Sequence, residues 1–196
     1  MDRHDWDARY AAHEMVWGLE PNQFVAAECA ELPPGRALDL ACGEGRNAVW
    51  LATLGWHVTG VDFSRVAIDK ARRLAESRDV TVELVVADLT QYEPPARAYD
   101  LVLLAYLQVP DEDRRVIWPR AAEAVAVGGT FVLVGHDSRN LTDGTGGPQD
   151  PRVCYRAGDV VALLGDLVVE RAGEVTRDVD GRTAIDCLVR ARRAAG

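Results

Sequence analysis

Five short apolar runs punctuate the chain: Ala37–Cys42, His57–Val61, Val80–Ala87, Tyr99–Tyr106 and Thr130–Gly135. They lack the polar alternation of a half-exposed strand, which is the pattern of strands covered on both faces of a parallel sheet. Helix signals lie between them. Gly55 closes Arg46–Leu54, as a glycine just past a helix end does. Ser64 is placed to cap Arg65–Glu76, in which Asp69 can pair with Arg72 or Arg73. Asp111, after Pro110, starts Glu112–Val125, and Pro21 suits the first position of a helix running to about Leu32. The rhythm changes at the end. Leu167–Glu174, the turn-like Asp180-Gly181 and Ala184–Arg192 read as an antiparallel hairpin.

This order of elements predicts an α/β fold: a Rossmann-like, doubly wound sheet with helices on both faces, forming one domain over residues 1–196. Two irregular stretches stand outside the pattern. Residues 1–20 hold two tryptophans and a tyrosine, and Asp137–Tyr155 is rich in Gly, Pro and polar residues. Loops of that length inside a compact domain are commonly functional, so both read as lids.

Composition narrows the classes. With 196 residues, 48% of them hydrophobic, the chain can bury a core without disulfides or metal, and disorder is excluded. The net charge of −9 makes nucleic acid a poor partner, and no basic stripe with interleaved aromatics is visible. The start is charged from its second residue, and no apolar run approaches the roughly 18 residues of a membrane span. No signal peptide and no membrane association are expected, and the cytoplasm is the expected compartment. Cys29, Cys42, Cys154 and Cys187 are scattered without metal-ligand spacing, so they read as buried reduced thiols and no metal is expected. Lys70 is the single lysine, beside 21 arginines.

The chemistry begins where the first strand runs into Asp39-Leu-Ala-Cys-Gly-Glu-Gly-Arg-Asn-Ala48. Gly43 and Gly45 permit a tight strand-to-helix turn. Gly43-x-Gly45-x-x-Ala48 with Asp62 downstream also fits a dinucleotide fingerprint, in which the acid binds ribose hydroxyls. Two further acids separate the possibilities. Asp39, inside the end of the first strand, would repel a pyrophosphate but suits an ammonium. Asp88, ending the third strand, can accept a proton from the exocyclic amine of adenine. Three carboxylates at the carboxyl ends of successive strands suit a ligand with an ammonium, a ribose and an adenine but no phosphates, which describes S-adenosylmethionine.

The runs ALDLACGEGRN, TGVDFS, VVADL, YDLVLLAYLQ and GGTFVLVGHD together resemble class I S-adenosylmethionine-dependent methyltransferases, over nearly the whole chain. The leading WDxRY…W…PN segment and GRN after the glycines are similar to the small-molecule branch that holds tellurite-resistance and thiopurine-type methyltransferases. The resemblance implies a seven-stranded sheet in the order 3-2-1-4-5-7-6, its last strand antiparallel, in agreement with the hairpin. It implies that Asp39, Gly43 and Gly45 surround the methionine part of the cofactor, that Asp62 binds the ribose, and that Phe63 walls the adenine. Asp88 is then the adenine N6 acceptor, followed by Leu89, and Ala105 and Tyr106 lie beside the sulfonium. Ala41, Asn47, Ser64 and Ala87 complete the cofactor-binding set. Trp6, Arg9, Tyr10 and Trp17 resemble the N-terminal cover of this branch, where aromatic faces attract a sulfonium. Arg9 or Arg46 would hold the methionine carboxylate.

The expected activity is methyl transfer to a small acceptor through sulfur, oxygen, nitrogen or a chalcogen. His136, at the end of the fifth strand, is the candidate base, and Tyr106 the candidate for orienting the acceptor. The chain departs from its relatives in two places. Gln108 stands where they often carry His, and Thr176-Arg177 replaces a His-Arg pair of the tellurite-resistance branch. No Asn/Asp-Pro-Pro-aromatic motif follows the fourth strand; Ala105-Tyr-Leu-Gln108 stands there, which argues against nucleic-acid methylation. The competing readings are a nicotinamide-dependent oxidoreductase, which needs neither Asp39 nor Asp88, and a non-catalytic S-adenosylmethionine-binding protein. Oligomeric state is not legible.

Overall fold

The computed structural model describes residues 2–195. Its seven strands form one sheet in the order β3-β2-β1-β4-β5-β7-β6. The chain divides into two compact units, residues 1–93 and 94–196, taken in turn.

In the first unit, β1 (Arg36–Leu40), β2 (His57–Asp62) and β3 (Glu83–Val86) pair in parallel, with Asp39 opposite Gly60 and Asp62 opposite Val86. The crossovers are α3 (Arg46–Thr53) and α4 (Arg65–Ser77). As expected, Ser64 caps α4 by accepting from the Ala67 amide at 3.1 Å, and Asp69 takes Arg72 as its partner at 2.8 Å. β3 begins three residues later than its apolar run, because the Val80 amide turns back to the Ala75 carbonyl and ends α4 first.

Two N-terminal expectations are corrected. Residues 1–20 are not wholly irregular: Arg3–Ala11 is a helix, α1, capped reciprocally by Asp2 and Asp5. It carries no apolar stripe and only Tyr10 is buried, so periodicity gave no signal. Pro21 is not inside its helix. Asn22 is the cap of α2 (Gln23–Cys29), its side chain accepting from the amides of Phe24 and Val25.

In the second unit, β4 (Tyr99–Ala105) and β5 (Val125–His136) pair in parallel around α5 (Asp111–Ala124). The run Leu101–Leu104 is buried throughout, as a two-face-covered strand requires. β5 starts well before Thr130 because α5 runs straight into it at Val125. The terminal hairpin is present: β6 (Val168–Val179) and β7 (Arg182–Arg192) meet at Asp180-Gly181, both at positive φ (52° and 76°). That is the backbone a two-residue hairpin turn requires. β7 then runs antiparallel to β5. The expected lid, 137–155, contains a short helix, α6 (Asn140–Asp143), and a 3-10 turn at Pro151–Val153; α7 (Ala157–Val161) follows. No described helix is long and apolar enough to cross a membrane. All four cysteines are buried free thiols.

Candidate active site

The glycine turn is built as its sequence demands. Gly45 caps α3 in the left-handed region at φ +83°, and a Cβ there would lie 2.7 Å from that of Ala71, so only glycine lets α3 and α4 approach this closely. Ala41 adopts φ +61° without glycine's freedom. Such strain at a strand end is typical of ligand-binding turns.

Three acids stand at the carboxyl ends of β1, β2 and β3. Asp39 is 0% exposed, and neither of its carboxylate oxygens meets a donor in hydrogen-bonding geometry. Burial, then the charge of Asp62, pushes its pKa up to about 8, partly offset by Arg46 and by the nearby Ala48 amide, which lies outside good hydrogen-bonding geometry. Asp62 is also buried but accepts from the Gly43 and Ser64 amides at 2.9 Å each. Burial dominates there too, and its pKa is raised to about 6. Asp88 is exposed, with Oδ1 accepting from the amide and hydroxyl of Thr90. Phe63 is half-buried and Leu89 buried beside these acids in the chain, while the Ala87 amide continues the pairing to the Asp62 carbonyl. Asn47 is committed locally: its Oδ1 accepts from the Asn22 amide at 2.9 Å.

The N-terminal aromatics come together. Trp6 stacks on Tyr10 at 5.5 Å and lies 6.3 Å from Trp17, while the Arg9 guanidinium sits over both indoles, 4.8 Å from Trp17. Arg46 donates to the Trp17 carbonyl. Two residues that the motifs did not single out fasten this cover to the turn. Lys70 reaches from α4 to the carbonyls of Tyr10 and His13 and to Glu44 Oε1 at 2.9 Å. Glu44 Oε2 accepts from the amides of Val16 and Trp17. The signal for Lys70 was present: the only lysine falls on the stripe of α4 with Ala67, Ala71 and Leu74, all buried. Ser64, besides capping α4, donates to Asp7.

The second unit has its own polar cluster at the end of β5. Ala105 closes β4, paired with Val134, and Tyr106 follows at φ +60°, held by its amide to the Val134 carbonyl at 2.8 Å. Its hydroxyl donates to Asp186 Oδ2 at 2.7 Å, and Arg177 Nε donates to the same oxygen at 2.7 Å. The Tyr106 and His136 rings lie 4.7 Å apart, and His136 faces Asp186 directly across the β5–β7 ladder. Burial opposes ionisation of Asp186, but His136, Tyr106 and Arg177 outweigh it and the net shift is downward. Asp186 escaped the motif reading; an acid inside the apolar stretch Ala184-Ile-Asp-Cys-Leu-Val189 was the available sign.

A sheet in this order, with its last strand antiparallel and an acid-lined glycine turn after its first, is the class I S-adenosylmethionine-dependent methyltransferase fold. Residues 37–129 match the family described as methyltransferase domain. Among curated proteins it is 34% identical over 71 residues to probable thiol methyltransferase 2 of Arabidopsis thaliana, covering 35% of this chain and 31% of that one. It is 38% identical over 122 residues to the ribosomal protein L11 methyltransferase of Dechloromonas aromatica, covering 60% and 39%. The chain thus spans two fifths or less of the curated relatives it matches. Among solved structures, the N-methyltransferase NodS from Bradyrhizobium japonicum superposes with TM-score 0.76 at 17% identity, covering 98% of this chain and 99% of that one. A protein from work on converting a disulfide bond into a thioacetal group in echinomycin biosynthesis also superposes with TM-score 0.76, at 22% identity, covering 99% and 93%.

S-adenosylmethionine is the cofactor of this class. The residues fit it at one telling point: the buried, unpartnered Asp39 carboxylate lacks the cation that a methionine ammonium would supply.

Proposed function

We propose that this chain transfers a methyl group from S-adenosylmethionine to a small-molecule acceptor. The observation that carries this reading is Asp39. An ionised carboxylate sealed from water without a donor is costly, and a ligand cation removes that cost. In this reading Asp39 receives the cofactor's ammonium, Asp62 the ribose hydroxyls and Asp88 the adenine amine, with Phe63 and Leu89 as apolar wall. Gly43, Gly45 and Ala41 let the backbone approach. The cover of Trp6, Arg9, Tyr10 and Trp17 excludes water, and Arg46 or Arg9 meets the carboxylate.

The bound cofactor supplies an electrophilic methyl on a sulfonium. The protein's tasks are then alignment and water exclusion. Tyr106 orients the acceptor and His136 serves as base where a proton must leave. A thiol methyltransferase among the relatives supports a small acceptor, while the ribosomal-protein methyltransferase represents the competing class. The formal charge of −9 weighs against nucleic acid, and the reduced cysteines suit a cytoplasmic setting.

Two measurements test the reading. Calorimetry with S-adenosylhomocysteine should show binding, with none for NAD(H). S-adenosylhomocysteine release should be followed across thiols, phenols, amines, chalcogen oxyanions and a ribosomal-protein acceptor. His136→Ala should slow turnover and leave S-adenosylhomocysteine affinity unchanged. Binding of NAD(H) instead, or turnover on the protein acceptor alone, defeats the proposal.

A further inference from the structure

We infer that Asp186 is a positioning residue that fixes His136 as a general base, so that the acceptor presents a proton-bearing oxygen or nitrogen. This rests on the methyltransferase reading above and specifies the substrate class for it.

The argument lies in how Asp186 divides its two oxygens. The side chain is 0% exposed. Oδ2 takes both the Tyr106 hydroxyl and Arg177 Nε. Oδ1 takes neither and lies 3.2 Å from His136 Nδ1. Both Oδ1 and Nδ1 are sealed from solvent, and neither has another partner or a bond in good line. Two orphaned polar atoms thus face each other across a ladder position, 3.2 Å apart. Leaving such groups unpaired is unfavourable, which drives the imidazole proton onto Nδ1. Nε2 then carries the lone pair.

The ring has little other freedom. Tyr106 packs on it, and Gly147 sits so close that a Cβ there would lie 2.9 Å from Nδ1. Arg177, whose guanidinium also lies 5.8 Å from the centre of the Tyr106 ring, balances the Asp186 charge.

In the transfer step, His136 Nε2 takes the proton as the acceptor's O–H or N–H bond breaks. The acceptor's lone pair would form the bond to the methyl carbon, the pair of the broken O–H or N–H bond would remain on the acceptor atom, and the carbon–sulfur pair would stay on sulfur as a neutral thioether. The imidazolium is stabilised by Asp186 until its proton passes to solvent. Thiolates and chalcogen oxyanions arrive ionised and need none of this.

The first test uses the wild-type chain without cofactor. Long-range 1H–15N spectra of histidine at neutral pH should show His136 as the Nδ1–H tautomer, and Asp186→Asn should lose that preference. The second follows S-adenosylhomocysteine release with phenol, amine and thiol acceptors. Asp186→Asn should lower kcat roughly 100-fold with a phenol or an amine, the scale of general-base catalysis, with a much smaller loss on a thiol that is ionised at the assay pH, and leave S-adenosylhomocysteine affinity near wild type. The phenol and amine arms distinguish oxygen from nitrogen.

An Nε2–H tautomer in the wild type overturns the inference, as does turnover on thiols or oxyanions alone. Full activity of Asp186→Asn on hydroxyl or amine acceptors also overturns it; in these cases methyl transfer itself stands. Failure of the wild type to bind S-adenosylhomocysteine removes the underlying reading as well. The tautomer needs no variant, so the test holds even if Asp186→Asn does not fold.

Discussion

Cofactor binding should expel a proton from Asp39. With its pKa pushed up to about 8 by burial and by Asp62, Asp39 is mostly protonated in the free protein at pH 7. An ammonium bound against it requires the ionised form. At pH 7 about ten molecules in eleven carry that proton, so binding releases about 0.9 proton. The apparent dissociation constant varies inversely with the ionised fraction, and between pH 6 and pH 7 it should fall about ninefold from this group alone. Asp62, at about 6, steepens the change at the lower end. The assay is calorimetry of S-adenosylhomocysteine in two buffers of different ionisation enthalpy, which counts protons directly. Asp39→Asn should bind more weakly, release close to none and flatten the pH dependence.

The same group carries a stability consequence of opposite sign. A carboxyl whose folded pKa is raised contributes stability that is present below its unfolded pKa of about 3.9 and lost as pH rises through about 8. The cofactor-free Asp39→Asn protein should therefore be more stable than wild type at pH 8, by about 1–3 kcal/mol, the cost of an unsatisfied buried group. Zero proton release by the wild type, with pH-independent affinity, would refute the reasoning.

Three further outcomes are expected. Asp62→Ala should weaken S-adenosylhomocysteine binding by about 1.5–3 kcal/mol, read by calorimetry, and wild-type affinity would remove the ribose assignment. Lys70→Met should cost about 3–5 kcal/mol in urea denaturation, because Glu44 is left buried without its cation, and should open residues 1–20 to proteolysis; a loss below about 1 kcal/mol would show that the pair is not structural. Gly147→Ala, at φ +73° and against the His136 ring, should lower turnover on the order of tenfold or more while S-adenosylhomocysteine affinity holds. Unchanged turnover would detach that loop from the chemistry.

The strand series and the terminal hairpin were legible along the chain because each is written in local periodicity and turn chemistry. Asp39, Asp62 and Asp88 were legible for a related reason: each lies within two residues of a strand's end, and successive parallel strands bring their carboxyl ends to one edge. Helix α1 was not, since a polar segment with one buried residue has no period to read. The depth of Asp39's isolation was not legible either, because whether a donor reaches a carboxylate depends on everything packed around it.

The polar cluster of the second unit shows the division most plainly. His136 and Tyr106 could be suspected from their places at strand ends. That His136 faces Asp186 follows from the antiparallel register of β5 on β7, and a one-residue slip would turn Asp186 to the other face of the sheet. The sequence by itself determined the kind of sheet and the acids at the strand ends beside its glycine turn. Only the tertiary structure decided which buried polar atoms meet, because partners distant in the chain are brought together by register and packing and by no local pattern.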